Sequence, residues 1–110
     1  MKKLFLFGVI FFFCNLVYAG PGTGVFKIKM VHVERGHVYI FPVSAIPDDL
    51  ECGYTDRIKL VPTDDGFDEM YSLALTAFAA DRSVAFWLQA CDPSPWGTPV
   101  AKAYAGQIKM

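Results

Sequence analysis

After residue 20 the apolar and polar positions change period several times, and each change marks an element. Gly20-Pro21-Gly22-Thr23-Gly24 reads as a flexible lead-in. Phe26, Ile28 and Met30 then alternate with Lys27 and Lys29, the two-residue period of a half-buried strand. A second strand is predicted over residues 37–43. Arg35-Gly36 between the two fits a two-residue hairpin turn, because glycine supplies the positive φ such a turn requires. From Pro42 the pattern breaks into a polar loop leading to Cys52-Gly53. Strand character resumes over residues 57–61, with Ile58 and Leu60 at the apolar positions, and Pro62 ends it.

The period then lengthens to that of a helix, predicted from Phe67 to Ala80. Asp65 has N-cap chemistry, since its carboxylate can accept a bond from an unpaired amide, and Asp68 sits near the positive end of the dipole. Phe67, Met70, Tyr71, Ala74, Ala77 and Phe78 make one apolar stripe. Leu73, Leu75, Ala79 and Ala80 add more, and only Glu69, Ser72 and Thr76 make a polar ridge. A surface helix on a small monomer buries one stripe and solvates the rest, so this one is expected to have a second apolar neighbour. The candidates for that contact are Leu75 and Ala79, in an oligomer or in the domain's own core.

Val84, Phe86, Leu88 and Ala90 alternate with Ser83, Ala85, Trp87 and Gln89 in a fourth strand that delivers Cys91. Proline and glycine keep the stretch from Asp92 to Pro99 out of helix and interior strand. A last strand is predicted over residues 100–108. Three strands, one helix and two strands give a mainly β (β+α) fold class. The order is that of the OB-fold, a five-stranded Greek-key barrel with one helix between strands 3 and 4, and other small α+β arrangements share it.

The chain has 110 residues, 54% apolar and 19% charged, a composition that excludes disorder. Residues 1–19 read as a signal peptide: Lys2 and Lys3 form a basic start, residues 4–16 an apolar run too short to span a membrane, and cleavage is expected after Ala19. Residues 20–110 then form a single domain, secreted or periplasmic, without a membrane span. Removing Lys2 and Lys3 takes the net charge from −1 to −3, so nucleic acid is not an expected partner. Removing Cys14 leaves Cys52 and Cys91, which in an exported chain read as a disulfide and so supply no nucleophile.

The remaining chemistry points to binding rather than catalysis. His32, Glu34 and His37 flank the first turn, but an exposed hairpin tip is a poor metal site and a polar cross-strand cluster is the expected reading. The carboxylates at 48, 49 and 51 and at 64, 65, 68 and 69 read as a solvated loop and a charged helix start. No nucleophile elbow, phosphate-cradling glycine loop or paired-histidine zinc pattern occurs, so no catalytic residues and no cofactor are expected. Trp96, framed by prolines, is the candidate ligand residue. Its indole either stands exposed, ready to stack on the apolar face of a sugar or on a partner side chain, or folds back over the disulfide or the core. Trp87 is expected in packing or at an interface, and Tyr39, Tyr54 and Tyr104 offer polar handles.

The segment from Met70 to Ala80, then Asp81-Arg82-Ser83-Val84 into a strand closed by Cys91, resembles the helix-to-strand region of secreted bacterial OB-fold proteins. These include the binding subunits of subtilase cytotoxin and of pertussis-like and typhoid-type toxins. The resemblance implies a ring of five subunits with the helices around a central pore, faced by Glu69, Ser72 and Thr76, and an outward surface that binds glycans. It leaves open whether an enzymatic A subunit accompanies the ring. The alternative is a structural or regulatory protein of the cell envelope that binds another protein and no sugar.

The leader and the cysteine count predict an exported protein that begins at Gly20 and lacks free thiols. Intact-mass measurement with alkylation, before and after reduction, checks both. Two thiols that alkylate without reductant would contradict the pairing.

Overall fold

A computed structural model describes residues 21–110, so the predicted leader over residues 1–19 and its cleavage point lie outside the described residues. The elements follow in the order β1 (Phe26–Glu34), β2 (His37–Pro42), β3 (Ile58–Leu60), α1 (Phe67–Ala80), β4 (Ser83–Asp92) and β5 (Val100–Lys109). Among the described residues the fold is thus mainly β with one helix. Strand neighbours run β1-β2-β3-β5-β4, and β4 returns to β1, so the five-stranded sheet closes on itself. All pairings are antiparallel except β3 with β5, which meet in parallel at Lys59 and Lys102.

The first turn shows how local chemistry sets register. Arg35 and Gly36 both have positive φ, 53° and 82°, the pair that a tight hairpin with right-handed strand twist requires. Glu34 therefore faces His37, and His32 faces Tyr39. Between Ile28 and Met30 the register shifts, a bulge that bends β1. The bend lets its first residues, Phe26 and Lys27, pair with Val84 and Ser83 of β4, while the remainder follows β2.

The expected flexible lead-in is instead ordered against β4. Thr23 N–H donates to the Phe86 carbonyl at 2.9 Å, Leu88 N–H donates to the Pro21 carbonyl at 2.8 Å, and Phe86 N–H donates to Thr23 Oγ1 at 3.1 Å. The physical reason is that β4 runs past the point where β1 leaves it, and its backbone groups need partners. Gly22 fits because the indole of Trp87 approaches to 3.3 Å of where a Cβ would stand.

Val38, Ile40, Ile58, Leu60, Phe86 and Leu88 form the interior, and α1 closes over it with Met70, Ala74 and Ala77. The helix bounds match the sequence pattern, but its cap does not. Gly66, at φ 81°, is the N-cap, with no side-chain cap bond, and Met70 N–H donates to its carbonyl at 2.9 Å. Asp65 therefore does not cap; the left-handed turn that glycine permits starts the helix in its place. Phe78, expected in the buried stripe, is 45% exposed, since its position falls on the helix flank. Leu75 and Ala79 are exposed beside it, as are Glu69, Ser72 and Thr76 on the opposite flank.

Cys52 and Cys91 form the expected disulfide, with Cα atoms 5.5 Å apart. The residues are 39 apart in sequence, and the chain-entropy model values such a closure at about 4 kcal/mol. The carboxylate of Asp48 accepts the Cys52 N–H at 2.9 Å and the Gly53 N–H at 3.1 Å. The long connection from β2 to β3 is therefore fixed at its middle.

Gly106 faces Phe86 across β4 and β5, and a Cβ there would lie 2.7 Å from two ring carbons. Because Phe86 is fully buried, its ring has little room to move. Gly106→Ala is expected to destabilise the fold by about 1–3 kcal/mol, read as a lowered denaturation midpoint.

Candidate functional site

Two strands depart from the alternation that a half-buried sheet shows. Residues 38–42 of β2 are all buried, as is the whole of β3. Val38, Ile40, Ile58 and Leu60 point into the core, so Tyr39, Phe41 and Lys59 must be covered from outside. The cover is the proline-rich connection between β4 and β5.

Trp96 folds back from that connection onto the outer sheet face. Its ring centroid lies 4.8 Å from Tyr39 and 6.1 Å from Phe41, both edge-on, 5.6 Å from His32, and 6.3 Å from Tyr54. It is thus only partly presented to solvent: 38% of the residue stays exposed, and the rest packs on an aromatic cluster. At the centre of this cluster sits Arg57, 4.1 Å from the Tyr54 ring, 4.6 Å from Trp96 and 4.7 Å from Phe41. A guanidinium held against several ring faces is attracted by their negative quadrupoles.

Arg57 also donates through Nε and Nη2 to the two carboxylate oxygens of Asp56, both at 2.9 Å. These hydrogen bonds hold the Asp56 carboxyl below its usual range, with burial opposing and the Arg57 charge assisting. The same bonds raise Arg57 further above its already high value.

Lys59 reaches the other end of the covering loop. Its ammonium donates to Asp92 Oδ2 at 2.5 Å and to the Pro93 carbonyl at 2.6 Å, and it lies 5.7 Å from the Tyr39 ring. Within the loop, Ser94 Oγ donates to the Thr98 carbonyl and accepts from Trp96 N–H. The loop is consequently folded on itself and attached to the sheet at two points.

Between this loop and the β1–β2 turn lies an open groove of about 430 Å³. Its floor is Tyr39 and Lys59; Glu34, Arg35 and His37 form one wall and residues 93–95 the other. Glu34 accepts a hydrogen bond from His32 Nε2 at 3.0 Å, so part of its charge is engaged. Arg35 is exposed. The Nδ1 atom of His37 is buried without a hydrogen-bond partner among the described residues, an unusual state for such an atom beside a groove. The arrangement presents hydrogen-bonding groups and apolar surface on a rigid frame, which is the chemistry of binding.

The structure brings only some of the sequence candidates together. Trp96 joins Tyr39, Tyr54 and His32, while Glu34 and His37 line the groove beside them. The helix positions Glu69, Ser72, Thr76, Leu75 and Ala79 lie on the exposed surface of α1, and the disulfide shapes the β2–β3 connection that carries Tyr54. Arg57, Lys59, Phe41, Arg35 and Ser94 escaped the sequence reading. A usable signal was the Val38-Tyr39-Ile40-Phe41 run, which is apolar at both parities and so belongs to a strand covered on both faces. No protein-family model, curated protein or solved structure matches the chain.

The depressed Asp56 carboxyl fixes a sign for the effect of acid. Stability from the Asp56–Arg57 pair is present above the unfolded carboxyl value of 3.8 and is lost as pH falls through the lower folded value. In a Trp87→Phe background, the step in Trp96 fluorescence that Asp56→Asn abolishes should fall below that value, as Arg57 loses its carboxylate. A change completed above it would contradict the linkage.

Proposed function

We propose that the protein is an exported OB-fold binding module, similar to toxin B subunits, whose groove takes a glycan. The single observation carrying this reading is the position of the groove, across β2 and β3 between the β1–β2 and β4–β5 loops. In OB-folds that face and those two loops are the usual seat of oligosaccharides and oligonucleotides. The strand order β1-β2-β3-β5-β4 with α1 between β3 and β4 supports the fold. The acidic balance of residues 20–110 favours sugar over nucleic acid.

The mechanism is recognition without reaction. Tyr39, Pro93 and Pro95, with the partly exposed Trp96 at the end of their wall, supply apolar surface for the C–H face of a sugar ring. Arg35, His37, Glu34 and Ser94 surround it with groups able to exchange hydrogen bonds with hydroxyls. The disulfide fits a secreted or periplasmic location.

The exposed apolar flank of α1, with Leu75, Phe78 and Ala79, supports association into a ring such as a homopentamer. In that assembly weak single sites gain strength on clustered glycans through avidity. The same flank also suits the second reading, an envelope protein that contacts another protein and no sugar. An enzymatic A subunit is a further partner that the toxin resemblance suggests.

A printed glycan array with the mature protein tests the reading. Selective retention is expected. Trp96→Ala should weaken it by roughly 1–3 kcal/mol. Arg35→Asn, which keeps a residue tolerant of positive φ, should weaken binding without lowering the denaturation midpoint. Light scattering should report a multiple of the monomer mass. Absence of retention together with a monomer would refute the glycan-binding ring.

A further inference from the structure

Arg57 and Lys59 stand two residues apart, on the same outward side of the chain entering and forming β3. Each holds the β4–β5 loop at a different point. Lys59 grips Asp92 and the Pro93 carbonyl where the chain leaves β4, and Arg57 lies against Trp96 farther along. The bonds of Ser94 to Thr98 and Trp96 fold the loop on itself but do not join it to the sheet. Residues 93–95, one wall of the groove, lie between the two attachments.

We propose that Arg57 is a positioning residue of the groove: its guanidinium, stacked among Tyr54, Phe41 and Trp96 and held in plane by Asp56, fixes the indole and through it the groove wall. The role rests on the reading of the groove as a sugar site, but the placement of Trp96 can be measured without any sugar. The geometry calls for arginine in particular. A planar guanidinium can stack on rings through its faces while its edge donates two parallel bonds to a carboxylate. A lysine ammonium keeps the charge but offers neither the face nor the fork. Trp96 is then the anchor at the end of the wall formed by residues 93–95, and Arg57 acts through Trp96.

The test uses Trp87→Phe as background, so that Trp96 is the remaining indole, and compares Arg57→Lys and Arg57→Ala by acrylamide quenching. Both variants should raise acrylamide quenching of Trp96 about twofold, since 38% of the residue is exposed at the outset. Retention on the printed glycans should fall about tenfold, the scale of a desolvated cation–π contact. Methylguanidinium added to Arg57→Ala should restore protection of the indole, and should do little for Arg57→Lys.

In the unsubstituted protein, Arg57 side-chain protons should be shifted upfield by the rings and show contacts to the Trp96 ring in NMR spectra. That measurement decides the matter even if a variant does not fold. An indole as protected in Arg57→Lys as in its background, or Arg57 protons without ring shifts, would overturn the proposal. If Arg57 governs Trp96 exposure but the parent retains no glycan, the positioning stands and the sugar reading falls.

Discussion

An ammonium group inside a protein must find oxygen partners near at hand, and Lys59 is that group here. Its residue is only 3% exposed, and its charge is met by the Asp92 carboxylate and the Pro93 carbonyl. Stripping one partner from such a pair leaves a buried charge uncompensated, at a cost of about 3–5 kcal/mol. The end of β4 and the start of the next connection are therefore drawn over the outer face of β2 and β3. The burial of Tyr39 and Phe41, the packing of Trp96 and the form of the groove all depend on that attachment.

The opposite side of the same surface is set by the β2–β3 connection. The disulfide joins Cys52 in that connection to Cys91 next to Asp92. Asp48 turns the backbone at Cys52 and Gly53, and Tyr54 follows to meet Arg57. A covalent bond, a buried ion pair and a stacked guanidinium thus converge on one short stretch of chain. Fold and candidate site share their supports, so the site is as rigid as the connections that frame it.

Much of this was legible in the residues. Alternation located β1 and β4, Arg35-Gly36 fixed the first turn, and cysteine parity paired Cys52 with Cys91. These signals are local or nearly so, and local chemistry governs them. The outer layer was not legible, because a two-residue period assigns parity to a strand without saying whether a remote loop covers the second side. Lys59, between the apolar positions Ile58 and Leu60, therefore carried no sign of its burial, and Arg57 showed only as the first residue of a predicted strand. Trp96 stood out because prolines framed it, yet its resting place depends on partners some 40 to 60 positions away in sequence. Asp65 looked like a cap by composition, while the left-handed conformation of Gly66 did the work of starting α1.

The strip formed by residues 21–23 has a further consequence for how copies of the protein meet in a crowded solution. An unpaired strand edge is a template on which other chains can add and aggregate. Here the strip supplies β4 with its backbone partners at Phe86 and Leu88. The strip is only three residues long among the described residues, and so short an edge is a poor base for another strand. The segment that completes the sheet therefore also ends it, guarding the molecule against edge-to-edge polymerisation along β4.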